Sequence, residues 1–219
     1  MDRHYYLMID TETAGDLDSP LVYDLGMQVI DKKGNVYAEY SLVISDVFYG
    51  MPALMNTAYY AEKLPSYYEE IDRGERVVVT WEYAQSLVKF LCDFYKINAI
   101  VAHNARFDYT ACNNTSTKIK GFKSYFFSYE IPIYCTLTMA RQTVGRQKTY
   151  VEWCRNRGYI TRNGAPRLTA EVLYRYLSRN NDFIEKHTAL EDVKIEKEIF
   201  VWIMRQHKAM RRTYYKERT

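Results

Sequence analysis

Alternation of apolar and polar residues dominates the first 44 positions of the chain. Residues 4–10, 21–31 and 36–44 each have the period-two pattern and the β-branched and aromatic content of a strand. Residues 31–35, with the sequence DKKGN, have the composition of a hairpin turn between the second and third strands. The beginning of the chain is therefore predicted to be an antiparallel three-strand meander.

A helical period replaces this alternation after residue 80. Residues 81–95 place apolar side chains at spacings of three and four, which predicts an amphipathic helix. Residues 45–80 are less regular, with a helix expected over 59–71 that ends at Arg73-Gly74. The remaining expectations are strands at 99–102 and 131–135, a polar basic loop at 113–130, and helices at 105–112, 137–144, 150–156, 169–178 and 188 to about 210.

This order of elements predicts an α/β fold. Three hairpin-connected strands followed by helix–strand–helix–strand form a mixed sheet, and right-handed crossovers place helices on both of its faces. With 219 residues, the chain is expected to be a single domain, residues 1–219. Within it, residues 45–80 are interpreted as an insertion and residues 205–219 as a basic C-terminal tail.

Composition excludes several classes of protein. Apolar residues make up 47% and charged residues 26%, which is typical of globular domains and excludes extensive disorder. Apolar runs are too short for a membrane span, and no export signal is visible, so we expect a cytoplasmic protein without a membrane partner. The four scattered cysteines are then expected to be reduced thiols, not disulfides or a zinc site.

The formal net charge of +3 conceals a strong asymmetry. Residues 1–100 have a net charge of −8, whereas residues 101–219 have a net charge of +11. Residues 113–167 carry ten basic side chains against only Glu130 and Glu152. A basic half is typical of proteins that bind polyanions, although an ordinary solvated surface accounts for the charge equally well.

Two carboxylates stand at the end of the first predicted strand, in the segment MIDTET at residues 8–13. Because side chains on a strand alternate between faces, Asp10 and Glu12 point to the same side. Like charges at this spacing repel in a low dielectric unless a cation lies between them. Their oxygen atoms suit Mg²⁺ or Mn²⁺. On its own, a D-x-E pattern also fits a solvated loop.

A second polar segment, VAHNARFD at residues 101–108, follows an apolar strand. His103 and Asn104 come directly after the strand, and Asp108 lies in the first turns of the next predicted helix. Places where a strand ends and a helix begins are usual ligand positions in α/β sheets. Taken alone, Asp108 would equally suit the helix dipole, and His103 a structural role.

A third segment, HTALED at residues 187–192, precedes the last predicted helix. Thr188 and Glu191 have the spacing of a capping box, which predicts that the helix begins at Thr188, directly after His187. Asp192 shares a stripe with three isoleucines further along this helix. A buried carboxylate requires a partner such as a metal ion, whereas an Asp192 at the edge of the helix would simply face solvent.

Together these segments, in the order MIDTET, VAHNARFD and HTALED, resemble the DEDDh family of 3′–5′ exonucleases. This family includes polymerase proofreading subunits and RNase T-like and oligoribonuclease-like enzymes. The third segment is the most discriminating, because a histidine five residues before the aspartate separates this branch from its tyrosine-bearing relatives. Ala14 and Cys135 depart from the common family pattern, at positions that are not metal ligands in the family.

The resemblance runs from about residue 4 to residue 205 and implies an RNase H-like fold. Such a fold has a mixed five-stranded sheet, made of an antiparallel three-strand meander and two parallel strands, flanked by helices. In the family, four carboxylates hold two divalent cations, Mg²⁺ or Mn²⁺, and the corresponding residues here are Asp10, Glu12, Asp108 and Asp192. His187 is then the expected general base.

The resemblance also implies a nucleic acid with a free 3′ end as the partner. The residues expected to contact its terminal nucleotide are Thr11, Thr13, His103 and Asn104. The basic loop 113–130 and residues 141–167 are expected to guide the phosphate backbone. Aromatic residues beside these lysines could stack on bases, or could be buried under the sheet; they are Tyr125, Phe126, Phe127 and Tyr129.

The leading hypothesis is a metal-dependent 3′–5′ exonuclease that acts on DNA, single-stranded DNA in particular, and releases 5′-mononucleotides. An exoribonuclease that trims short RNA or tRNA ends would use the same five residues and remains the main alternative. A polymerase-associated proofreading module is a further candidate, and a polymerase is one candidate partner. A non-catalytic binding module would be expected to have a damaged acidic set. The frequency of Tyr, Lys and Asn indicates an AT-rich genome, and we expect the protein to be bacterial or encoded by a phage.

Overall fold

The structure is a computed structural model, and it describes residues 4–215. Its strands are β1 (Tyr5–Ala14), β2 (Leu21–Asp31), β3 (Val36–Ile44), β4 (Val77–Val79), β5 (Ile97–Ala102), β6 (Ile133–Cys135) and β7 (Thr213–Tyr215). Its helices are α1 (Ser45–Phe48), α2 (Pro52–Met55), α3 (Leu64–Asp72), α4 (Trp81–Tyr95), α5 (Arg106–Lys120), α6 (Thr136–Gln142), α7 (Lys148–Asn156), α8 (Ala170–Ser178) and α9 (Ala189–Arg205). Short 3₁₀ turns at Ala61–Lys63 and Val144–Arg146 complete the regular structure in this range.

Within residues 4–215, the strands form one mixed sheet in the order β4-β3-β2-β1-β5-β6-β7. β1, β2 and β3 pair antiparallel, while β5 lies parallel to β1 and β6 parallel to β5. The predicted α/β fold, with its meander and two parallel strands, is confirmed. The expected number of five strands is wrong, because β4 and β7 each add a strand at one edge of the sheet. Strands of three residues are too short to give a periodic signal.

Side chains of β1 alternate between two hydrophobic cores, one on each face of the sheet. Leu7 and Ile9 pack into a core shared with α4 and α5, whereas Tyr6 and Met8 pack into a core shared with α8 and α9. Trp81 and Phe200 are fully buried examples on the two faces. Burial on both faces explains why β1 and β2 are almost continuously buried, as is typical of central strands.

The helix expected at 105–112 continues to Lys120, so the predicted loop at 113–130 is wrong in its first half. The sequence pattern did not predict this part of the helix because its buried face includes polar residues. Two of them are buried and hydrogen-bonded. Thr115 accepts the Val22 N–H at 2.9 Å, and Ser116 accepts the Trp81 indole N–H at 2.9 Å. After the helix ends, Phe126 and Phe127 are buried in the core, which excludes them as exposed stacking platforms.

Residues 45–80 contain α1, α2, α3 and β4, and thus more structure than the sequence indicated. The helix expected at 59–71 begins only at Leu64, where a proline in the first turn favours a start. At the other end of the chain, α9 ends at Arg205 and not near 210. The predicted basic tail at 205–219 includes β7, and its residues 216–219 lie outside the described range.

The other predicted helices lie within two residues of their expected bounds, as comparison with α4, α6, α7 and α8 shows. Thr169 accepts the Val172 N–H at 3.4 Å and caps α8. Among the described residues, no helix is both long enough and apolar enough to cross a membrane. The four cysteines are buried and unlinked.

Candidate active site

The acidic pair of the first segment lies inside β1, not in a loop after it. β5 pairs with β1 only as far as Met8, so the remaining part of β1 extends beyond its parallel neighbour. Asp10 and Glu12 lie in this extension, two residues apart, and a register shift follows between Glu12 and Thr13. Period two therefore sends both carboxylates to one side, at the end of the sheet where ligands of α/β proteins bind.

A glycine in β2 brings the last helix to the same place. Gly26 pairs with Asp10 in the register of β1 and β2. A Cβ atom on Gly26 would lie 2.3 Å from the backbone of Ala189 and Leu190, closer than any real contact. Only the missing side chain lets the first turn of α9 rest on the sheet. Asp192 is in that first turn, so this close approach positions it beside the β1 carboxylates.

Three carboxylates meet at this position. Ligand oxygens of Asp10, Glu12 and Asp192 all lie within 4.8 Å of one another. A second set within the same limit contains Glu185, His187 and again Asp192. The Oδ1 atom of Asp192 is buried and has no hydrogen-bond partner. Oxygen ligands at this spacing, one of them buried and unpartnered, fit a hard divalent cation such as Mg²⁺ or Mn²⁺.

Burial and mutual repulsion make these carboxylates unusually basic. Burial, together with the charge of Asp192, raises the pKa of Glu12 to about 9. Burial and the charge of Glu185 raise the pKa of Asp192 to about 8, and the pKa of Asp10 is raised well above its usual range. The ammonium group of Lys63 opposes the shift at Glu12 and Asp192. The folded chain thus brings together carboxyl groups whose ionised form is unfavourable without a counter-charge, and a bound cation would stabilise that ionised form.

Asp108 reaches the site from the first turn of α5 and is not one of the three carboxylates with mutually close oxygens. It is buried, and its Oδ1 accepts the Thr11 hydroxyl proton at 2.9 Å. Burial raises the pKa of Asp108 to about 7, against the effect of the Thr11 hydrogen bond. Its charge raises the pKa of Asp10, which puts the two within electrostatic reach. The Thr11 hydroxyl is therefore engaged by a carboxylate.

Glu196 is a buried carboxylate at this site that sequence reasoning missed. It lies one helical turn after Asp192 and is 3% exposed. Its Oε2 accepts the His103 backbone N–H at 3.2 Å. Among the charged groups that raise the pKa of Asp10, Glu196 has the largest effect. Glu196 is four residues after Asp192, so the two carboxylates lie on one face of α9. This spacing is the sequence feature that could have indicated Glu196.

His187 lies just before α9, on the solvent side of the carboxylates. Its Nδ1 is 3.7 Å from Glu185 Oε2 and 3.9 Å from Asp192 Oδ2, and its side chain is 34% exposed. Burial and the nearby Lys63 lower its pKa below the usual value. At neutral pH the imidazole is therefore uncharged and can accept a proton.

The predicted capping box at the start of α9 is wrong. Thr188 precedes the helix, but its side chain makes no capping hydrogen bond. Glu191 instead accepts hydrogen bonds from Lys186 at 2.9 Å and Lys194 at 2.7 Å. Glu191 is therefore paired with these two lysines and not with the backbone N–H that a capping box would use.

The cap of α9 comes from β2. Asp24 Oδ2 accepts the Ala189 N–H at 3.1 Å, the Arg76 guanidinium N–H at 2.8 Å and the Tyr67 hydroxyl at 2.6 Å. Asp24 is fully buried, and Arg76 also pairs with Glu70 at 2.5 Å. This network joins the segment 64–76 to the helix start that carries Asp192. Sequence reasoning missed it because the partners of Asp24 are 43 to 165 positions away from it.

The side chain of His103 is held by internal contacts. Its Nε2 lies 2.8 Å from the Leu168 carbonyl oxygen and its Nδ1 2.9 Å from the Thr136 hydroxyl. Because a carbonyl only accepts, Nε2 is the protonated nitrogen. Burial lowers the pKa of His103 to about 4, so the ring is neutral. Asn104 is exposed with φ 61°, and Thr13 is half-buried after the bulge; their predicted substrate contacts stay predictions.

A groove of about 1130 Å³ adjoins the site, and His187, Glu185 and Glu196 are among its lining residues. Arg141 and Arg167 also line this groove, as do His103 and Asn104. Arginines beside a carboxylate site suit a ligand that carries several phosphates.

In fold, the chain is similar to solved structures of 3′-exonucleases. A 3′-exonuclease that recognises the 3′ end of a histone mRNA stem-loop gives a TM-score of 0.64 at 9% identity, over 96% of this chain and 66% of that one. A full-length 3′-exonuclease gives 0.63 at 8% identity, over 97% and 86%. Exonuclease I of E. coli in complex with a dT13 oligonucleotide gives 0.53 at 15% identity, over 91% and 41%.

At these identities the likeness establishes a shared fold, not an activity. The chain spans 66% of the first of these proteins and 41% of the third. No protein-family model matches the sequence, and no curated protein matches it.

Proposed function

We propose that this chain is a metal-dependent 3′–5′ exonuclease of the DEDDh type. The observation that carries the proposal is the meeting of Asp10, Glu12 and Asp192, with oxygens within 4.8 Å of one another, on a fold similar to that of 3′-exonucleases. His187 beside Asp192 supports the DEDDh assignment, because it supplies a neutral imidazole at the edge of the acidic cluster.

The acidic residues would serve as metal ligands. When bound, two Mg²⁺ or Mn²⁺ ions held by Asp10, Glu12, Asp108 and Asp192 would supply positive charge to the scissile phosphate and make water more acidic. Thr11 orients Asp108 for this task through its 2.9 Å hydrogen bond. Asp192 belongs to both sets of close ligand atoms, so it joins the metal site to the histidine.

His187 would act as the general base. Its neutral imidazole accepts a proton from the attacking water, whose oxygen forms the new bond to phosphorus. The bond from phosphorus to the 3′ oxygen of the preceding nucleotide breaks, that oxygen takes a proton from solvent water to become the new 3′ hydroxyl, and a nucleoside 5′-monophosphate is released. The imidazolium formed is stabilised by Glu185 and Asp192, at 3.7 and 3.9 Å.

The groove supports a nucleic-acid substrate whose free 3′ end lies at the carboxylates. Arg141 and Arg167 would bind backbone phosphates, while Thr13 and Asn104 would contact the terminal nucleotide. We propose single-stranded DNA as the preferred substrate. An RNA substrate is the second candidate, because the similar solved structures include one that recognises an RNA end and one in complex with a DNA oligonucleotide.

Degradation of matched oligonucleotides tests this proposal. DNA and RNA of one sequence, labelled at the 5′ end, are incubated with the protein and Mg²⁺ or Mn²⁺, and free 5′-mononucleotides are identified by chromatography. We expect stepwise shortening from the 3′ end, loss of activity with EDTA, and faster digestion of DNA. A variant, Asp192→Asn, should lose about 10³-fold or more in rate.

The neighbouring acid offers a matched control. Glu191→Gln removes a carboxylate that pairs with Lys186 and Lys194 outside the cluster, and it should retain activity. Full activity in EDTA, or in Asp192→Asn, would refute the metal-dependent site. Faster digestion of RNA would replace DNA by the second candidate.

A further inference from the structure

Residues 57–63 connect α2 to α3, and Tyr60 among them lines the groove together with His187. The Thr57 hydroxyl accepts the N–H of Gly15, the residue after β1, at 3.0 Å. From there the segment extends to the loop that carries His187. The ring of Tyr60 stacks on the imidazole of His187, with centroids 4.4 Å apart and planes 10° from parallel.

The side chain of Lys63 contacts the main chain of the same loop. Its ammonium group donates to the carbonyl of Lys186 and lies 3.4 Å from the carbonyl of His187. It also lies 4.8 Å from the centre of the Tyr60 ring, within range of a cation–π contact. The segment therefore contacts both the side chain and the backbone of the His187 loop.

His187 depends on external contacts for its orientation. It lies outside the regular hydrogen bonding of α9 and has φ 51°, a left-handed conformation that non-glycine residues rarely adopt. Its ring nitrogen is 3.7 and 3.9 Å from the nearest carboxylate oxygens, which is longer than a hydrogen bond. The stack on Tyr60 is thus a contact that fixes the plane of the ring.

We propose that Tyr60 and Lys63 are positioning residues that hold His187 in its productive orientation. This inference rests on the proposed function, in which His187 accepts the proton of the attacking water. A general base must lie within hydrogen-bond reach of the proton that it removes. A stack that fixes the ring plane, and a lysine that fixes the adjoining backbone, restrict the rotations that would take the imidazole away.

Another role for Tyr60 would leave a different kinetic signature. A half-buried aromatic ring at this place could instead stack on a nucleobase, which would strengthen substrate binding. Loss of a base-stacking ring raises KM, whereas loss of a ring that orients the general base lowers kcat. The two roles therefore separate in a steady-state experiment.

The kinetic test compares four variants of the full chain on one DNA oligonucleotide. Tyr60→Leu should lower kcat by about 10-fold to 100-fold, with KM changed by less than about threefold, because small displacements of a catalytic group are costly. Tyr60→Phe retains the ring and should restore kcat. Lys63→Met should lower kcat to a smaller extent, and Lys63→Arg should restore part of it.

Tyr68→Leu is the matched control. Tyr68 lies on α3, is 50% exposed, and packs on Phe48 and Tyr49, away from His187. Its replacement should leave kcat within about twofold, as expected for a surface substitution. An unchanged kcat in Tyr60→Leu, or a rise in KM alone, would overturn the proposal.

Proton NMR provides a readout that does not depend on activity. The chain has four histidines, so their ring protons are few, and His187→Gln identifies one set by its disappearance. Protons above an aromatic face are shielded, so the His187 signals should lie upfield in the wild type and in Tyr60→Phe. They should move downfield in Tyr60→Leu and stay in place in Tyr68→Leu.

The two hypotheses fail in different ways. If the wild type shows the upfield signals but no nuclease activity, the stack exists and the proposed function is wrong. If the wild type is an active nuclease and the signals do not respond to Tyr60→Leu, the positioning role is wrong and the function stands.

Discussion

At the scale of single residues, the candidate site is a place where the fold brings together acidic groups whose ionisation is unfavourable. Asp192 has a buried oxygen without a hydrogen-bond partner, and burial with neighbouring charge raises the pKa of Glu12 to about 9. Such groups lower the stability of a chain that contains no cation. Concentrated like charge is thus better explained by a ligand of opposite charge than by a role in folding.

A second residue, His103, makes stability depend on pH in the acid range. Its pKa is about 4 in the folded chain and about 6.5 in an unfolded one, so the unfolded state binds more protons between these values. The stabilising contribution of the neutral ring is therefore lost as the pH falls from about 6.5 to about 4.

We expect this loss to be visible as a difference between two proteins. Urea unfolding of the wild type and of His103→Gln, followed over this range, should show the wild type losing up to about 3 kcal/mol relative to the variant on acidification. A constant difference between the two would mean that His103 is not buried as a neutral ring.

At the scale of elements, the site depends on how α9 approaches the sheet. Gly26 allows the contact with β2, and the buried network of Asp24, Arg76 and Tyr67 holds the first N–H of the helix. Periodicity predicted β1, β2, β3, α4 and α9, because each has a long regular pattern. It could not predict which residues of distant elements meet, and so it missed Asp24, Arg76 and Glu196.

Adding one methyl group at the contact should disturb the site. In Gly26→Ala, the new Cβ meets the backbone of Ala189 at 2.3 Å, so α9 must move away from Asp10. We expect a stability loss of about 1–3 kcal/mol, as for overpacking, together with a loss of nuclease activity of about tenfold or more. Thermal melting and the oligonucleotide assay measure the two effects.

Gly74→Ala separates this clash from the general cost of replacing a glycine. Gly74 has φ +72°, and a Cβ atom added there would have no other atom within 4 Å. Alanine at this position therefore costs backbone strain of about 1–2 kcal/mol without a steric clash. Activity should be retained in Gly74→Ala. Equal activity in the two variants would show that the approach of α9 does not set the site.

Two arginines three residues apart test the importance of the buried network. Arg76→Met removes the partner of the fully buried Asp24 and should lower the free energy of unfolding by about 3–5 kcal/mol. Arg73→Met removes pairs with Glu69 and Glu75 that solvent screens, and should change the free energy of unfolding far less. Urea titration of both variants measures the difference, and similar values would contradict the network.

At the scale of the whole molecule, both halves of the chain contribute to the site. The acidic half supplies Asp10 and Glu12, and the basic half supplies Asp108, Asp192 and His187 together with Arg141 and Arg167 in the adjoining groove. The sequence predicted the mixed sheet and the three segments that the structure brings to one edge. It did not predict β4, β7 or the length of α5, because three-residue strands and a buried polar helix face leave no apolar period.

Arg141 and Arg167 in the groove predict that the binding of nucleic acid depends on salt concentration. Each phosphate neutralised on a single strand contributes about −0.7 to the slope of log K against log salt. Binding of labelled DNA to Asp192→Asn protein, measured by fluorescence anisotropy between about 50 and 200 mM KCl, should show a slope that Arg141→Gln and Arg167→Gln each reduce by about 0.7. Lys89→Gln, which removes an exposed lysine paired with Asp93 on α4, should leave the slope unchanged.

The central claim is that the carboxylates of β1 and α9 hold divalent cations for phosphodiester hydrolysis. Anomalous diffraction from crystals of the full chain soaked in Mn²⁺ tests it most directly. We predict manganese peaks between Asp10, Glu12 and Asp192, a second one near Asp108, and their loss in crystals of Asp10→Asn. The absence of manganese among these residues, in a protein that still degrades DNA, would contradict the account.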